Sequence, residues 1–188
     1  MRKLNFKKSE FLYLARFASN EPTRPMLGGV WFDASGEMVA TDGHRIGVLG
    51  AAFSETIPEG ETGAAVNFLI RTDKRTIAAL KQTHFEDLTL EIEPAAESGR
   101  ITAPDGSSVS VFVDWGHYPA YKKIIPTGTV QSGPAKFRIN ADYLRDFIFD
   151  KKTKGVGIEF TDTDPRAPVR INVEGLQNFT GVLMPMLY

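Results

Sequence analysis

Ala40-Thr41-Asp42-Gly43-His44-Arg45-Ile46 places a polar centre between apolar residues on both sides, a strand-and-turn heptad. Asp-Gly is a common turn pair, because glycine tolerates positive φ and an aspartate side chain bonds back to nearby backbone. His44 and Arg45 within it also suit a base and an anion-binding group. No Ser or Cys nucleophile motif accompanies them, so a lone histidine is weak evidence for catalysis, and His84 and His117 show no metal-ligand spacing with His44, which leaves no metal site.

Outward from the heptad, one pattern occurs three times: a short alternating strand, a polar cap and an amphipathic helix. It runs from Leu4-Asn5-Phe6 into 9–19, from 66–70 into 72–82, and from Phe137-Arg138-Ile139 into 140–150. Ser9, Thr72 and Asn140 are the expected caps, each offering a side-chain oxygen to first-turn amides. Between the helices the apolar period falls to two, as in Val30-Trp31-Phe32-Asp33, Glu37-Met38-Val39-Ala40, 88–92, 108–113, 157–160 and 169–173, which predicts short antiparallel strands. Ala34-Ser35-Gly36, Ser98-Gly99, Pro104-Asp105-Gly106 and 162–165 read as turns. Leu27-Gly28-Gly29-Val30 lacks the spacing of a phosphate cradle and reads as a strand with close backbone packing. The fold class is α+β, three strand–helix–strands units. One unit covers only half of its own apolar surface, so units must pack together. Linkers are expected at 55–63 and 127–134, dividing the chain into a paired domain over 1–126 and a single unit over 135–188.

The chain has 188 residues, 42% of them hydrophobic, a net charge of -1 and no cysteine. A real core is within reach at this length. Near-neutral charge argues against a generally basic coat for nucleic acid and permits a local basic stripe. Without cysteine there is no disulfide frame or thiol nucleophile. The amino terminus lacks an apolar signal core and no run of about 18 apolar residues exists to span a bilayer, so a cytoplasmic location is expected.

The helices carry the stripe. Arg71, Lys74, Arg75 and Lys81 fall on one side of a helical wheel while Ile77 and Leu80 fall on another. Arg16 on the first helix, and Arg145, Lys151 and Lys152 on or after the third, extend it; Arg24 joins this basic set. Two readings stand: a solvated surface stripe, or a face that binds phosphates without reading sequence. The lack of an aromatic stacking ladder favours duplex over single-stranded nucleic acid.

Three stretches in order, the heptad, Tyr118-Pro119-Ala120-Tyr121-Lys122-Lys123-Ile124-Ile125-Pro126 and Leu183-Met184-Pro185-Met186-Leu187-Tyr188, resemble signatures of the bacterial sliding clamp, the beta subunit of DNA polymerase III. Residues 23–126 resemble the family's middle domain, and 137–188 only the second half of its carboxy-terminal domain, so the chain is similar to a shortened member. The resemblance implies DNA-clamp (processivity-fold) repeats, no catalysis, no cofactor, and a processivity factor that encircles duplex DNA and tethers polymerase. It implies a hydrophobic peptide pocket walled by Leu27, Thr41, Gly43, His44, Arg45, Ile46, Pro119, Lys123, Ile124, Asn140, Tyr143, Val169, Leu183, Met184, Pro185 and Met186, taking short linear motifs of DNA polymerase and clamp loader. Leu187 stands where the family usually has a basic residue and Lys123 where arginine is commoner, which shifts the expected motif preference. The family's ring holds twelve repeats, so three per chain implies a homo-oligomer, a tetrameric ring. The competing readings are a non-encircling adaptor that occupies clamp-binding motifs, as from a phage or mobile element, and a hydrolase using His44.

Overall fold

The computed structural model describes residues 1–56, 67–134 and 136–186. β1 (Arg2–Lys7) alternates strictly, with Leu4 and Phe6 buried and Lys3, Asn5 and Lys7 exposed. It runs straight into α1 (Lys8–Leu14), which ends in a 3-10 turn at Ala15–Phe17. The expected Ser9 cap is replaced. Lys7 holds the cap position without a side-chain bond, and the first-turn amides of Lys8 and Ser9 donate instead to the carbonyl and carboxylate of Glu86. An acceptor from a distant part of the chain thus does what a local hydroxyl was expected to do.

Strands β2 (Gly29–Phe32), β3 (Met38–Thr41), β4 (Arg45–Leu49) and β5 (Phe53–Thr56) complete the first unit. The second comprises β6 (Phe68–Arg71), α2 (Lys74–Gln82), β7 (Asp87–Ile92), β8 (Ser98–Thr102) and β9 (Ser108–Asp114). Its helix is capped one residue later than expected: Asp73 accepts from the Thr76 amide at 2.9 Å, while the Thr72 hydroxyl turns to the Gly28 carbonyl. The third contains α3 (Ala141–Asp146), capped by Asn140 as expected, then β10 (Val156–Glu159), β11 (Val169–Val173) and β12 (Phe179–Leu183). Val66 and positions 57–63 of the expected first linker lie outside the described residues, whereas Glu55 and Thr56 belong to β5.

Two further expected features differ. Ser98-Gly99 is strand, because the chain has already reversed at Pro94-Ala95, where Ala95 takes φ of 64°. Gly99 is there for closeness: a Cβ would stand 2.5 Å from Ile92 Cγ2. Among the described residues Phe137-Arg138-Ile139 joins no ladder; the Arg138 carbonyl accepts from the Met186 amide at 2.9 Å.

All pairing is antiparallel within one sheet of order β10-β11-β12-β4-β3-β2-β6-β9-β8-β7-β1-β5. The first two units exchange strands reciprocally: β1 pairs with β7 (Leu4 opposite Leu90), and β6 with β2 (Ile70 opposite Val30). Each supplies the strand that completes the other's sheet. Close approach at Gly29 serves this exchange, since a Cβ there would lie 2.2 Å from the Ile70 carbonyl oxygen.

The third unit attaches by β12 pairing with β4, with Gly181 opposite Gly47. Both positions lack a Cβ for the same reason. Rings of Phe17, Phe147 and Phe179, with Tyr13 and Phe149, form a cluster with centroid spacings from 4.9 to 6.2 Å on this face. The Tyr13 hydroxyl donates to the Phe147 carbonyl at 2.9 Å, tying α1 to the end of α3. The main core, with Phe11, Leu14 and Leu80 from the helices and Phe147 just after α3, lies on this side of the sheet. A smaller one, of Trp31, Val39, Ile46, Val48, Leu69, Tyr121 and Val182, lies apart from it.

A Cβ at Gly181 would stand 2.4 Å from Phe147 Cε1 and 2.9 Å from Ile171 Cβ, whereas at Gly157 the nearest atom is 3.8 Å away. Gly181→Ala is therefore expected to lower unfolding free energy by about 1–3 kcal/mol through overpacking. Gly157→Ala should stay within about 0.5 kcal/mol; urea denaturation measures both.

Candidate functional site

The opening heptad is the hairpin turn between β3 and β4, locked by its own side chains. Thr41 Oγ1 donates to the Arg45 carbonyl at 2.6 Å and accepts from the Gly43 amide at 3.0 Å. Asp42 Oδ1 accepts from the amides of His44 and Arg45. Gly43, at φ of 92°, supplies the conformation this turn needs.

Arg45 points inward. Its guanidinium meets Asp42 at 3.1 Å, Asp146 at 2.6 Å and the Arg16 carbonyl at 2.8 Å, with the faces of Tyr143 and Phe17 at 4.7 and 5.3 Å. The residue is only 7% exposed. A buried cation so furnished is compensated, and it fastens α3 to the turn. His44 stays exposed, its ring stacked on Tyr143 at 5.8 Å, and its carbonyl accepts from the Met184 amide, carrying the β4·β12 ladder one residue further.

Above this joint lies a cavity of about 250 Å³, lined by Leu27, Thr41, Gly43, His44, Arg45, Ile46, Pro119, Ile124, Val182 and Met184. The structure thus brings together nine of the sixteen residues expected of a peptide pocket, from four separated stretches of chain. The remaining seven are placed otherwise. Lys123 lines a neighbouring groove with Trp31, Asp33 and Tyr118. Asn140 is the cap of α3, and Tyr143 backs the His44 and Arg45 side chains. Val169 and Leu183, opposite one another in β11 and β12, are buried in the main core. Pro185 and Met186 follow β12 outside the cavity, with Met186 half exposed.

Val182 was missed, and strand alternation explains it. With Met184 in the wall, the residue two before it shares that face and Leu183 faces away. The wall from 118 to 126 is pinned from below: Tyr121 donates to Glu37 at 2.7 Å, and Lys122 lies 3.0 Å from Glu37 and 3.4 Å from Asp33. Burial pushes the Glu37 carboxyl up, but bonds from Tyr121, Lys122 and Ser35 outweigh it and hold the group below its ordinary value. Burial, with the Glu37 bond, drives the Tyr121 hydroxyl far above the usual tyrosine range.

The basic set divides. Lys74, Arg75 and Lys81 on α2, and Lys151 and Lys152 after α3, are exposed and free of ion pairs among the described residues. Among the described residues Arg145 pairs with Asp142 on its own helix. Arg16 is engaged, donating to the Ile148 and Phe149 carbonyls beyond α3. Arg24 pairs with Glu21 and lies over Gly43 at the pocket turn. Arg71 pairs with Asp114 in an open groove of about 860 Å³ that also holds Phe112 and Trp115. Among the described residues no cluster of side chains suits a metal ion, and no helix is long and apolar enough to cross a membrane.

The chain matches no protein-family model and no curated protein sequence. Solved structures do resemble it. The DNA polymerase III beta subunit of Thermotoga maritima superposes with a TM-score of 0.72 over 100% of this chain and 66% of its own, at 13% identity. The fold is that of the sliding clamp. The DNA polymerase sliding clamp of Bacillus subtilis gives 0.70 at 15% identity, over 99% of this chain and 64% of its own. A sliding clamp of Bartonella birtlesii bound to griselimycin gives 0.64 at 15%, over 99% and 66%. The chain therefore spans about two thirds or less of the clamp structures it matches. Within this clamp fold the cavity sits where the third unit meets the first, at the β4·β12 joint.

Asp146 and Asp142 share one helix and differ in task. Asp146→Ala, which strips a partner from the buried Arg45, should cost about 1–3 kcal/mol of stability. Asp142→Ala, which breaks an exposed pair, should cost less than about 0.5 kcal/mol, as read by thermal or denaturant unfolding.

Proposed function

We propose that this chain is a shortened sliding clamp of the DNA polymerase III beta type, which tethers a DNA polymerase and takes its clamp loader through the cavity at the β4·β12 joint. One observation carries the reading: four stretches far apart in sequence converge on one apolar cavity in a clamp fold. Met184, Ile124 and Leu27 supply pliable apolar walls for Leu or Phe anchors of an extended peptide, and the backbone around Gly43 and His44 is close enough to orient it. A tethered polymerase gains effective concentration at the primer end, a contribution that needs no bond chemistry.

The unpaired cations of α2 and the segment after α3 support the second half of the proposal, duplex DNA held through its phosphates. We divide the chain into a two-unit domain over 1–126 and a single unit over 135–188, and assign four copies to a ring of twelve units around the duplex. In a second reading the same cavity serves a non-encircling adaptor that competes for clamp-binding motifs. Retention on closed circular DNA, with loss after linearisation, selects the ring.

A fluorescein-labelled peptide with adjacent Leu and Phe anchors is expected to bind by anisotropy, and Met184→Ala or Ile124→Ala to weaken it about tenfold or more. No binding by the unmodified chain would contradict the pocket. For DNA, the double variant Lys74→Ala/Arg75→Ala should lower the slope of log affinity against log salt by about 2.

A further inference from the structure

The third unit is half of a domain, and the intact half of the molecule shows what the other half must be. In the first two units each first strand crosses to the partner: β1 to β7, and β6 to β2. The residues facing inward at those crossings are sealed, with Leu4 2% exposed, Leu90 0%, Val30 0% and Ile70 0%. The third unit has both complementary pieces and, among the described residues, no unit to exchange them with. Its α3 has no buried residue. Phe137, Leu144, Val156, Ile158 and Phe160 are packed against the core yet only half buried, and Ile148 is 43% exposed.

The backbone points the same way. The Glu174 amide donates to the Gly155 carbonyl, so Gly155, Gly157 and Glu159 face β11, while Val156, Ile158 and Phe160 turn their peptide groups outward. The linker takes one of these, from the Gln131 amide to the Phe160 carbonyl at 2.9 Å. Those of Val156 and Ile158 have no partner among the described residues. On the entering segment, Arg138 faces Met186, which turns the backbone groups of Phe137 and Ile139 away, again without a partner among the described residues. One chain thus presents an open strand edge and an extended segment whose Phe137 and Ile139 backbone groups point outward, the two halves of the exchange made inside residues 1–126.

We infer that two copies of this chain pair through their third units, Phe137–Ile139 of each adding to β10 of the other about a two-fold axis, to build a composite domain like the one formed by the first two units. Such a contact is self-complementary and closes at two. It fills the edge with a strand whose inward residues, Phe137 and Ile139, are apolar and half buried, and sets one α3 beside the other as α1 lies beside α2. The dimer has six units in three complete domains. It requires neither DNA nor peptide, so it stands or falls apart from the clamp reading.

Sedimentation equilibrium of the full chain across micromolar concentrations is expected to give twice the 20.8 kDa chain mass, or an even multiple. Ile158→Pro removes an outward-pointing donor and leaves the bonds to β11 intact, so with its circular dichroism unchanged it should run as a monomer. Phe112→Ser, on β9, should leave the mass unchanged. Should the proline variant not fold, hydrogen exchange on the unmodified chain decides: amides of Phe137, Ile139, Val156 and Ile158 are expected to slow at least tenfold between dilute and concentrated samples. A strict monomer, an odd-numbered assembly, or exchange at these amides independent of concentration overturns the proposal and leaves the edge to a different protein.

Discussion

Arg45 is the residue around which the molecule is assembled. Taking a guanidinium out of water costs several kcal/mol, and the cost is met only where carboxylates, carbonyls and ring faces surround it. Here those partners come from three places: Asp42 in the same turn, Arg16 and Phe17 after α1, and Asp146 and Tyr143 on α3. Satisfying one charge therefore fixes the third unit against the first. The glycine pair beside it, Gly47 and Gly181, lets the two strands meet under the phenylalanine rings.

The pocket follows from that joint. Once β12 lies against β4, Val182 and Met184 stand on the same side as Ile46, and the hairpin turn with its exposed His44 closes one end. Pro119 and Ile124 arrive on a segment held down by Tyr121 and Lys122 at Glu37. A cavity made from four stretches of chain is sensitive to anything that shifts the joint, so for the proposed peptide recognition the buried ion network counts as much as the walls themselves.

Much of this was legible in the sequence. The three units, their helices and most strands follow from apolar period, and the turn chemistry of Asp42-Gly43 marks the hairpin. What failed were features decided by distant partners. Ser9 lost its capping role to Glu86, and Ser98-Gly99 became strand because the reversal at Ala95 came first. Phe137-Arg138-Ile139 has the alternation of a strand and lacks a neighbour to pair with. In the site, Leu183 and Val169 were expected in the wall but face the core, since alternation in a strand turns Leu183 away from its neighbour Met184 and Val169 lies opposite Leu183. The inward turn of Arg45 had no local signal, because Asp146 is brought to it only by the fold. Nor did charge patterning reveal that Arg16 spends its donors on carbonyls beyond α3.

The central claim is that the cavity at the β4·β12 joint is the recognition site. Backbone and methyl chemical shifts followed during titration with a Leu-Phe peptide test it most directly. The account predicts perturbations centred on Gly43, His44, Ile124, Val182 and Met184. Shifts confined to the groove of Arg71, Phe112 and Trp115, or none at all, would contradict it.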